Sequence, residues 1–181
     1  MGRLINSTYL SLDGVVQHPE RWTFDYRSDD AAAYSHDLLF GADTLLMGRR
    51  TYDIFAAHWP DATDDEGFAD RMNAVPHYVV STTLTSPSWH NTIVVPPDKA
   101  VEVVREVKTA RNLLQYGFGQ VTAVMLEAGL VDELQVWLHP LLVGRAAPND
   151  LLAATAPAAR FRLEDVQRFS SGLLVLRYGP R

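Results

Sequence analysis

Apolar residues along the chain fall into short blocks with two different spacings. Continuous or alternating apolar runs, the pattern of strands, occur at 3–11, 44–48, 77–82, 92–96, 112–117, 132–138, 160–169 and 172–178. Apolar residues three or four positions apart, the pattern of helices, occur at 28–40, 66–72, 98–110 and 119–128. Strand and helix patterns therefore alternate along most of the chain.

The order of these patterns predicts the fold class. The continuous apolar run TLLMG at 44–48 is typical of a strand covered on both faces in a parallel sheet. A short helix is predicted to begin after it, at Thr51 or Asp53, and Asp98 is a predicted cap for a later helix. The two serines at 170–171 join the last two strand patterns as a hairpin. We therefore predict an α/β sandwich with a mostly parallel central sheet, helices on both faces and a C-terminal antiparallel hairpin.

Composition narrows the class of function. A chain of 181 residues with 47% hydrophobic residues predicts one globular domain spanning 1–181. A net charge of -6 argues against general binding of nucleic acid, and the lack of cysteine excludes disulfides, thiol nucleophiles and zinc-thiolate sites. The six histidines lack the spacing of a helical metal pair, so we expect no metal. With no signal-peptide pattern and no apolar run of about 18 residues, we expect a cytoplasmic protein without membrane contact.

Two strand-to-helix junctions are candidate binding sites, because ligands of parallel α/β sheets bind at the carboxyl ends of strands. The first is G-R-R-T at 48–51, where a glycine, two arginines and a hydroxyl could bind phosphate. The alternative is that both arginines are solvated and Thr51 is a helix N-cap. The second is G-F-G at 117–119, which suits a pyrophosphate-binding turn. Thr122 replaces the third glycine of the dinucleotide motif, so a simple turn is the alternative there.

Acidic residues near the first strand are the candidate proton donors. Asp13 lies in the sequence SLDG, where it is either a proton donor or a turn residue that bonds its own backbone. Asp29 and Asp30 fit the acidic first turn of a helix. His139 precedes a proline at a strand end, and we interpret it as structural.

Five segments taken together resemble a known family. They are SLDG (11–14), GADTLLMGRRTYD (41–53), YVVSTTL (78–84), the glycine turn at 117–119 and EAGLVDELQVWLHPLLVG (127–144). In this order they are similar to the dihydrofolate reductase superfamily, in the branch of the C-terminal reductase domain of bacterial riboflavin-biosynthesis deaminase-reductases. The resemblance covers about residues 3–178. It implies a sheet of about eight strands, NADPH as hydride donor, a small heterocyclic substrate reduced at a C=N or C=O bond, and a homodimer.

The resemblance also implies roles for individual residues. The residues implied to hold the cofactor phosphates are Gly48, Arg49, Arg50 and Thr51, and those at the pyrophosphate turn are Gly117, Phe118, Gly119, Gln120 and Val121. Ser81 and Thr82 would lie near the adenosine. The implied substrate side comprises the catalytic candidate Asp13 with Gly14, Trp22 and Phe24. Further substrate walls are predicted in the loops 17–27 and 61–67.

The chain also departs from the family pattern at two places. Phe118 stands where a small residue is common, and it must point away from the phosphates if the cofactor site is kept. After Gly144 the chain reads RAAPNDLL, without the family's second glycine. Two alternatives to an enzyme follow, the first being a nucleotide-binding or regulatory homodimer without turnover. The second is a purely structural homodimer with Trp137 at the subunit contact.

Overall fold

The computed structural model describes residues 1–64 and 66–181 and contains one eight-stranded sheet. The strands are β1 (Leu4–Ser11), β2 (Thr44–Gly48), β3 (His77–Val80), β4 (Thr92–Val95), β5 (Leu113–Tyr116), β6 (Glu133–His139), β7 (Phe161–Arg168) and β8 (Leu174–Pro180). Their order across the sheet is β4-β3-β2-β5-β1-β6-β8-β7. The pairs from β4 to β6 are parallel, whereas β6 with β8 and β8 with β7 are antiparallel. The predicted parallel sheet with a C-terminal antiparallel hairpin is confirmed.

Helices cover both faces of the sheet. They are α1 (Asp29–Phe40), α2 (Arg49–Ala56), α3 (Phe68–Ala74), α4 (Ala100–Val107) and α5 (Gln120–Glu127). Adjacent leucines of β2, Leu45 and Leu46, belong to two separate buried clusters because side chains alternate between the faces of a strand. The helical members of these clusters are Leu39, Tyr52 and Met72 with Leu45, and Val104 and Met125 with Leu46. Thus α1, α2 and α3 cover one face, and α4 and α5 cover the other.

Two helix starts differ from the prediction. Helix α2 begins at Arg49, directly after the extended backbone of Gly48, so Thr51 lies inside the helix and is not its N-cap. Asp98 lies in a separate 3₁₀ turn, Pro97–Lys99, and α4 begins only at Ala100. In both cases we expected a side chain to cap the helix start, and in both cases the helix begins without a side-chain cap.

Two further predictions concern the loops and the subunit contact. Asp65 lies outside the described residues, so the predicted substrate loop 61–67 is described only in part. The prediction of Trp137 as a subunit contact is wrong: its side chain is buried and packs against Tyr34 and Phe169. The homodimer itself stays a prediction, since the structure is of one chain. None of the helices in the described part of the chain is long and apolar enough to cross a bilayer.

Candidate active site

The sheet has a topological switch point between β2 and β5. These two strands are parallel neighbours, with Leu45 paired to Leu114. The chain leaves β2 through α2 toward β3, and it leaves β5 through α5 on the opposite face toward β6. A crevice therefore opens between their carboxyl ends, where ligands of such sheets bind.

The crevice has two walls, each formed by one of the predicted glycine junctions. The α2 wall is G-R-R-T at 48–51, at the start of α2, and the α5 wall is G-F-G at 117–119, at the start of α5. A Cβ atom added to Gly48 would lie 3.3 Å from the Cγ2 atom of Val121, so the start of α5 approaches the end of β2 closely. A Cβ atom added to Gly117 would lie 4.0 Å from the Thr51 hydroxyl. The structure thus brings G-R-R-T and G-F-G together, although they are far apart in sequence.

The α2 wall carries the two arginines, whose side chains diverge. Arg49 donates from Nε to both carboxylate oxygens of Asp53, at 2.8 and 3.0 Å, and from Nη1 to the Thr83 hydroxyl at 3.2 Å. Arg50 instead places Nη2 at 2.6 Å from Nε2 of His18. Arg49 therefore lies toward the end of β3, and Arg50 lies toward the loop that follows β1. Gly48 at the N-cap position offers no side-chain cap, so the first amides of α2 keep their donor capacity.

The α5 wall is the glycine turn. Gly117 has a φ of 78°, in the left-handed region that favours glycine, and its amide donates to the Ser7 carbonyl. The Gly117 carbonyl accepts a 2.8 Å bond from the buried side-chain amide of Asn6. Gly119 is extended and occupies the N-cap of α5 without a side-chain cap. The amides around Gln120 and Val121 thus form a second set of donors beside the crevice.

Phe118 points away from the crevice. Its ring is buried in a cluster with Val16, Leu134 and Val136, on the β6 side of the turn and opposite to β2. Only its backbone faces polar groups, and its carbonyl accepts a bond from Gln17 Nε2 at 3.2 Å. A bulky residue between the two glycines therefore fills the core and leaves the turn open.

The two glycines of this turn should respond differently to substitution by alanine. Gly117→Ala forces a side chain into the left-handed region and should cost about 1–2 kcal/mol of unfolding free energy. Gly119→Ala meets open space and an extended backbone, so we expect a change within about 0.5 kcal/mol. Urea denaturation of both variants measures the difference, and equal losses would contradict the assigned turn geometry.

A turn after β3 holds the predicted adenosine-side residues. The Ser81 hydroxyl accepts hydrogen bonds from the amides of Thr83 and Leu84, both at 3.1 Å. Ser81 is buried, whereas Thr82 is exposed at the tip of the turn. Because Arg49 contacts Thr83, this turn lies beside the α2 wall. Ser81 shapes the turn, and Thr82 faces outward.

Asp13 is a structural residue in this arrangement. Its carboxylate accepts bonds from the Ser11 hydroxyl at 2.6 Å and from the amides of Val143 and Gly144 at 3.1 and 2.8 Å. The bond from Ser11, followed by those from the backbone, lowers the pKa of Asp13 below its ordinary value. An ionised carboxylate has no proton to give near neutral pH. The structure therefore argues against Asp13 as proton donor and favours the alternative of a turn residue.

The neighbouring substrate-side candidates lie around the ends of β1 and β6. Gly14 has a φ of 85°, as the turn chemistry predicts, and its carbonyl accepts a bond from the Leu152 amide. The Trp22 ring lies 5.2 Å from the buried His139 ring, edge to face. Phe24 is 54% exposed, with Arg27 stacked 4.4 Å from its centroid. Trp22 and His139 thus form an aromatic wall at the carboxyl ends of β1 and β6, and Phe24 lies in the same loop as Trp22.

The same aromatic wall accounts for His139. Its Nδ1 lies 2.9 Å from the Trp137 carbonyl, and burial lowers the pKa of the imidazole, so the ring is neutral. The structural interpretation from sequence agrees with this placement.

In the 141–146 loop, Arg145 has a φ of 47°, a backbone position that favours glycine. In the segment where the chain departs from the family pattern, Arg145 thus adopts a backbone conformation usual for glycine although it carries a side chain.

Three polar residues shape the crevice in ways that the sequence did not predict: Asn6 was not singled out, and Gln17 and His18 were placed only in the predicted substrate loop 17–27. Asn6 holds the glycine turn from β1, while Gln17 and His18 reach the two walls from the loop after β1. For Asn6 a signal existed, since an amide inside a strand pattern indicates a buried hydrogen-bond network. For Gln17 and His18 no local signal exists, because their partners are distant in sequence.

The donor set of the crevice fits a phosphorylated cofactor. Two helix N-termini without side-chain caps and two guanidinium groups are the groups that bind phosphate oxygens. A Cβ atom at Gly48 would press against the Val121 side chain at 3.3 Å, so a larger residue there requires that side chain to shift. In the described part of the chain, no group of three or more acidic or histidine side chains is placed to hold a metal ion.

The eight-stranded sheet, the two helical layers and the antiparallel C-terminal strands define a dihydrofolate reductase-like α/β sandwich. The chain belongs to the RibD C-terminal domain family, whose sequence model matches residues 3–175. The resemblance drawn from the five ordered segments is thereby confirmed.

Known relatives agree with this fold. The chain is 24% identical over 181 residues to the uncharacterized protein YyaP of Bacillus subtilis (strain 168), covering 97% of this chain and 94% of YyaP. A pyrimidine reductase-like protein from Corynebacterium diphtheriae superimposes with a TM-score of 0.67 at 14% identity, over 99% of this chain and 92% of that one. A candidate riboflavin biosynthesis protein from Shewanella sp. PV-4 superimposes with a TM-score of 0.70 at 19% identity, over 100% and 99% of the two chains.

A longer relative contains the same fold as one part. The diaminohydroxyphosphoribosylaminopyrimidine deaminase/5-amino-6-(5-phosphoribosylamino)uracil reductase of Thermotoga maritima superimposes with a TM-score of 0.68 at 14% identity. The match covers 99% of this chain and 57% of that protein. At these identities the structural likeness establishes the fold.

Proposed function

We propose that this chain is an NADPH-dependent reductase that transfers a hydride to a C=N or C=O bond of a small pyrimidine- or pteridine-like heterocycle. The observation that carries the proposal is the convergence of the N-termini of α2 and α5 with Arg49 and Arg50 at the crevice between β2 and β5. Such a donor set selects phosphate groups. Membership of the RibD C-terminal domain family supports reductase chemistry, and two proteins of this fold carry pyrimidine or uracil reductase in their names.

The cofactor would lie across the carboxyl edge of the sheet. The groups proposed to hold its pyrophosphate are the amides of Phe118, Gly119, Gln120 and Val121, on the turn that Gly117 shapes, with Gly48, Arg50 and the Thr51 hydroxyl on the facing wall. We assign Arg49 to the 2′-phosphate, because its guanidinium lies beside the turn that contains Ser81 and Thr82, the proposed adenosine side. The aromatic wall occupies the opposite end of the edge, which leaves that end for the substrate.

Gly14, Trp22 and Phe24 are the proposed substrate contacts. Bound NADPH supplies the hydride, and the work of the chain is to hold the acceptor bond close to it and to exclude bulk water. The aromatic faces of Trp22 and Phe24 suit a flat heterocycle. Because the Asp13 carboxylate is ionised and already bonded, we assign the proton that completes the reduction to water.

Titration with NADPH tests the proposal. NADPH at 100 times its Kd should raise the free energy of unfolding by about 2.7 kcal/mol, which differential scanning fluorimetry detects as a higher Tm. Oxidation of NADPH, followed by absorbance with a panel of pyrimidines, pteridines and carbonyls, then tests turnover. Unchanged melting at millimolar NADPH would contradict the proposal. Saturable binding without oxidation across the panel would instead support the alternative of a nucleotide-binding homodimer without turnover.

A further inference from the structure

The two arginines of the α2 wall differ in how their charges are balanced. Arg49 is paired with a carboxylate, that of Asp53. Arg50 contacts the imidazole nitrogen Nε2 of His18 at 2.6 Å. A guanidinium can only donate hydrogen bonds, so this nitrogen must be unprotonated and acts as the acceptor. Among the residues that the structure describes, Arg50 is therefore held by this imidazole and not by a carboxylate, and its positive charge remains available to an anion.

The backbone and neighbours of His18 fix the imidazole that holds Arg50. His18 has φ and ψ of 53° and 45°, a left-handed conformation that is uncommon for a residue with a side chain. Its Nδ1 lies 3.2 Å from Oε1 of Glu20, so Nδ1 carries the proton and Nε2 keeps its lone pair. The adjacent Gln17 donates to the Phe118 carbonyl and accepts a 3.0 Å bond from Trp22 Nε1. The loop after β1 is thus attached to both walls of the crevice.

We infer that His18 is a positioning residue for cofactor binding: its neutral imidazole orients Arg50 toward the pyrophosphate without cancelling the charge. The inference rests on the proposed function, since it assigns the anion at this crevice to a dinucleotide. A carboxylate in the place of His18 would orient the guanidinium equally well but would neutralise it. An alanine would leave the charge but release the side chain, which then loses rotamer entropy on binding.

Substitutions at position 18 separate orientation from charge. Calorimetric titration of the full chain with NADPH should give a Kd for His18→Gln within about 3-fold of the unsubstituted protein, because the glutamine oxygen also accepts from Arg50. We expect His18→Ala to weaken binding about 10-fold and His18→Glu to weaken it further. In an Arg50→Ala background, His18→Ala should have no additional effect. An unchanged or lower Kd for His18→Ala, or the same loss in both backgrounds, would overturn the inference.

A measurement without cofactor keeps this inference separate from the proposed function. In the unliganded protein, the Arg50 side-chain signals in ¹⁵N NMR spectra should be sharp and resolved in the unsubstituted chain and in His18→Gln. They should broaden or average in His18→Ala, while the Tm of each variant stays the same. Identical Arg50 signals in His18→Ala and the unsubstituted chain would refute positioning by His18, whether or not NADPH binds. Failure of NADPH to bind, with the expected spectra, would refute only the assigned ligand.

Discussion

Arg177→Ala should lower the free energy of unfolding by about 2–3 kcal/mol, because it removes the main partner of a buried carboxylate. Glu133 on β6 is 1% exposed. It accepts bonds from Arg177 Nε and Nη2 at 3.0 and 3.1 Å, from Arg3 at 2.8 Å and from Gln135 at 2.6 Å. Breaking a buried ion pair typically costs about 3–5 kcal/mol, and the expected loss is smaller here because Arg3 remains.

Arg162→Ala is the matched control, because Arg162 lies on β7, the strand next to β8, which carries Arg177. Arg162 pairs with Glu164 at 2.7 Å, but its side chain is 67% exposed, so we expect a loss below about 0.5 kcal/mol. Urea denaturation of the two variants gives both values. Equal losses for Arg177→Ala and Arg162→Ala would contradict the assignment of Glu133 as a buried, compensated charge.

The effect of Arg177→Ala should also depend on pH. Burial by itself raises the pKa of Glu133, but hydrogen bonds from Arg177 and Gln135 and the charges of Arg177 and Arg3 outweigh it, so the pKa lies below its ordinary value. A carboxyl group with a lowered pKa stabilises the fold above its ordinary pKa, and this contribution is lost as pH falls through the folded-state pKa. The difference in unfolding free energy between the unsubstituted protein and Arg177→Ala should therefore shrink on acidification. A difference that stays constant down to acidic pH would contradict this linkage.

Arg49→Ala should weaken NADPH binding about 100-fold and leave NADH binding almost unchanged. Its guanidinium lies beside Thr83 and the turn after β3, where we place the 2′-phosphate that NADH lacks. Hydrogen bonds between charged groups contribute about 1.5–3 kcal/mol each, and this sets the expected factor. Calorimetry with adenosine 2′,5′-bisphosphate and with AMP measures the same selectivity without turnover.

Arg50→Ala is the control for this selectivity. Arg50 lies toward His18 and the glycine turn, so its loss should weaken NADPH and NADH by similar factors. If Arg49→Ala weakens both dinucleotides equally, or Arg50→Ala affects NADPH alone, the assignment of Arg49 to the 2′-phosphate is contradicted. Thermal melts of both variants check that neither has lost its fold.

Much of the fold was predictable because buried apolar residues recur in the sequence with the period of the strand or helix that contains them. The continuous run at 44–48 predicts a strand covered on both faces, and β2 indeed has helices on each side. The start of α2 was not predictable from capping chemistry, because Gly48 enters the helix without a side-chain cap. Strand order was also absent from the local patterns, since β5 is inserted between β2 and β1 by contacts between distant segments.

The candidate site was predictable where it depends on backbone chemistry. Glycines at 48, 117 and 119 mark places where the chain turns or approaches closely, and the sheet brings those places together. The direction of the Phe118 ring could not be read from sequence, because it is set by packing against Leu134 and Val136. The divergence of Arg49 and Arg50 likewise follows from partners on two different loops. Their roles in binding stay predictions.

The near-contact of Gly48 with Val121 has an electrostatic consequence for the unliganded protein. It places the positive ends of two helix dipoles, those of α2 and α5, side by side at one edge of the sheet. Like partial charges repel, so this edge of the fold is under electrostatic tension without an anion. An anion that enters the crevice relieves this tension as well as forming its own contacts. Part of the affinity of the site for phosphate therefore comes from relief of a repulsion that is already present in the folded, unliganded protein.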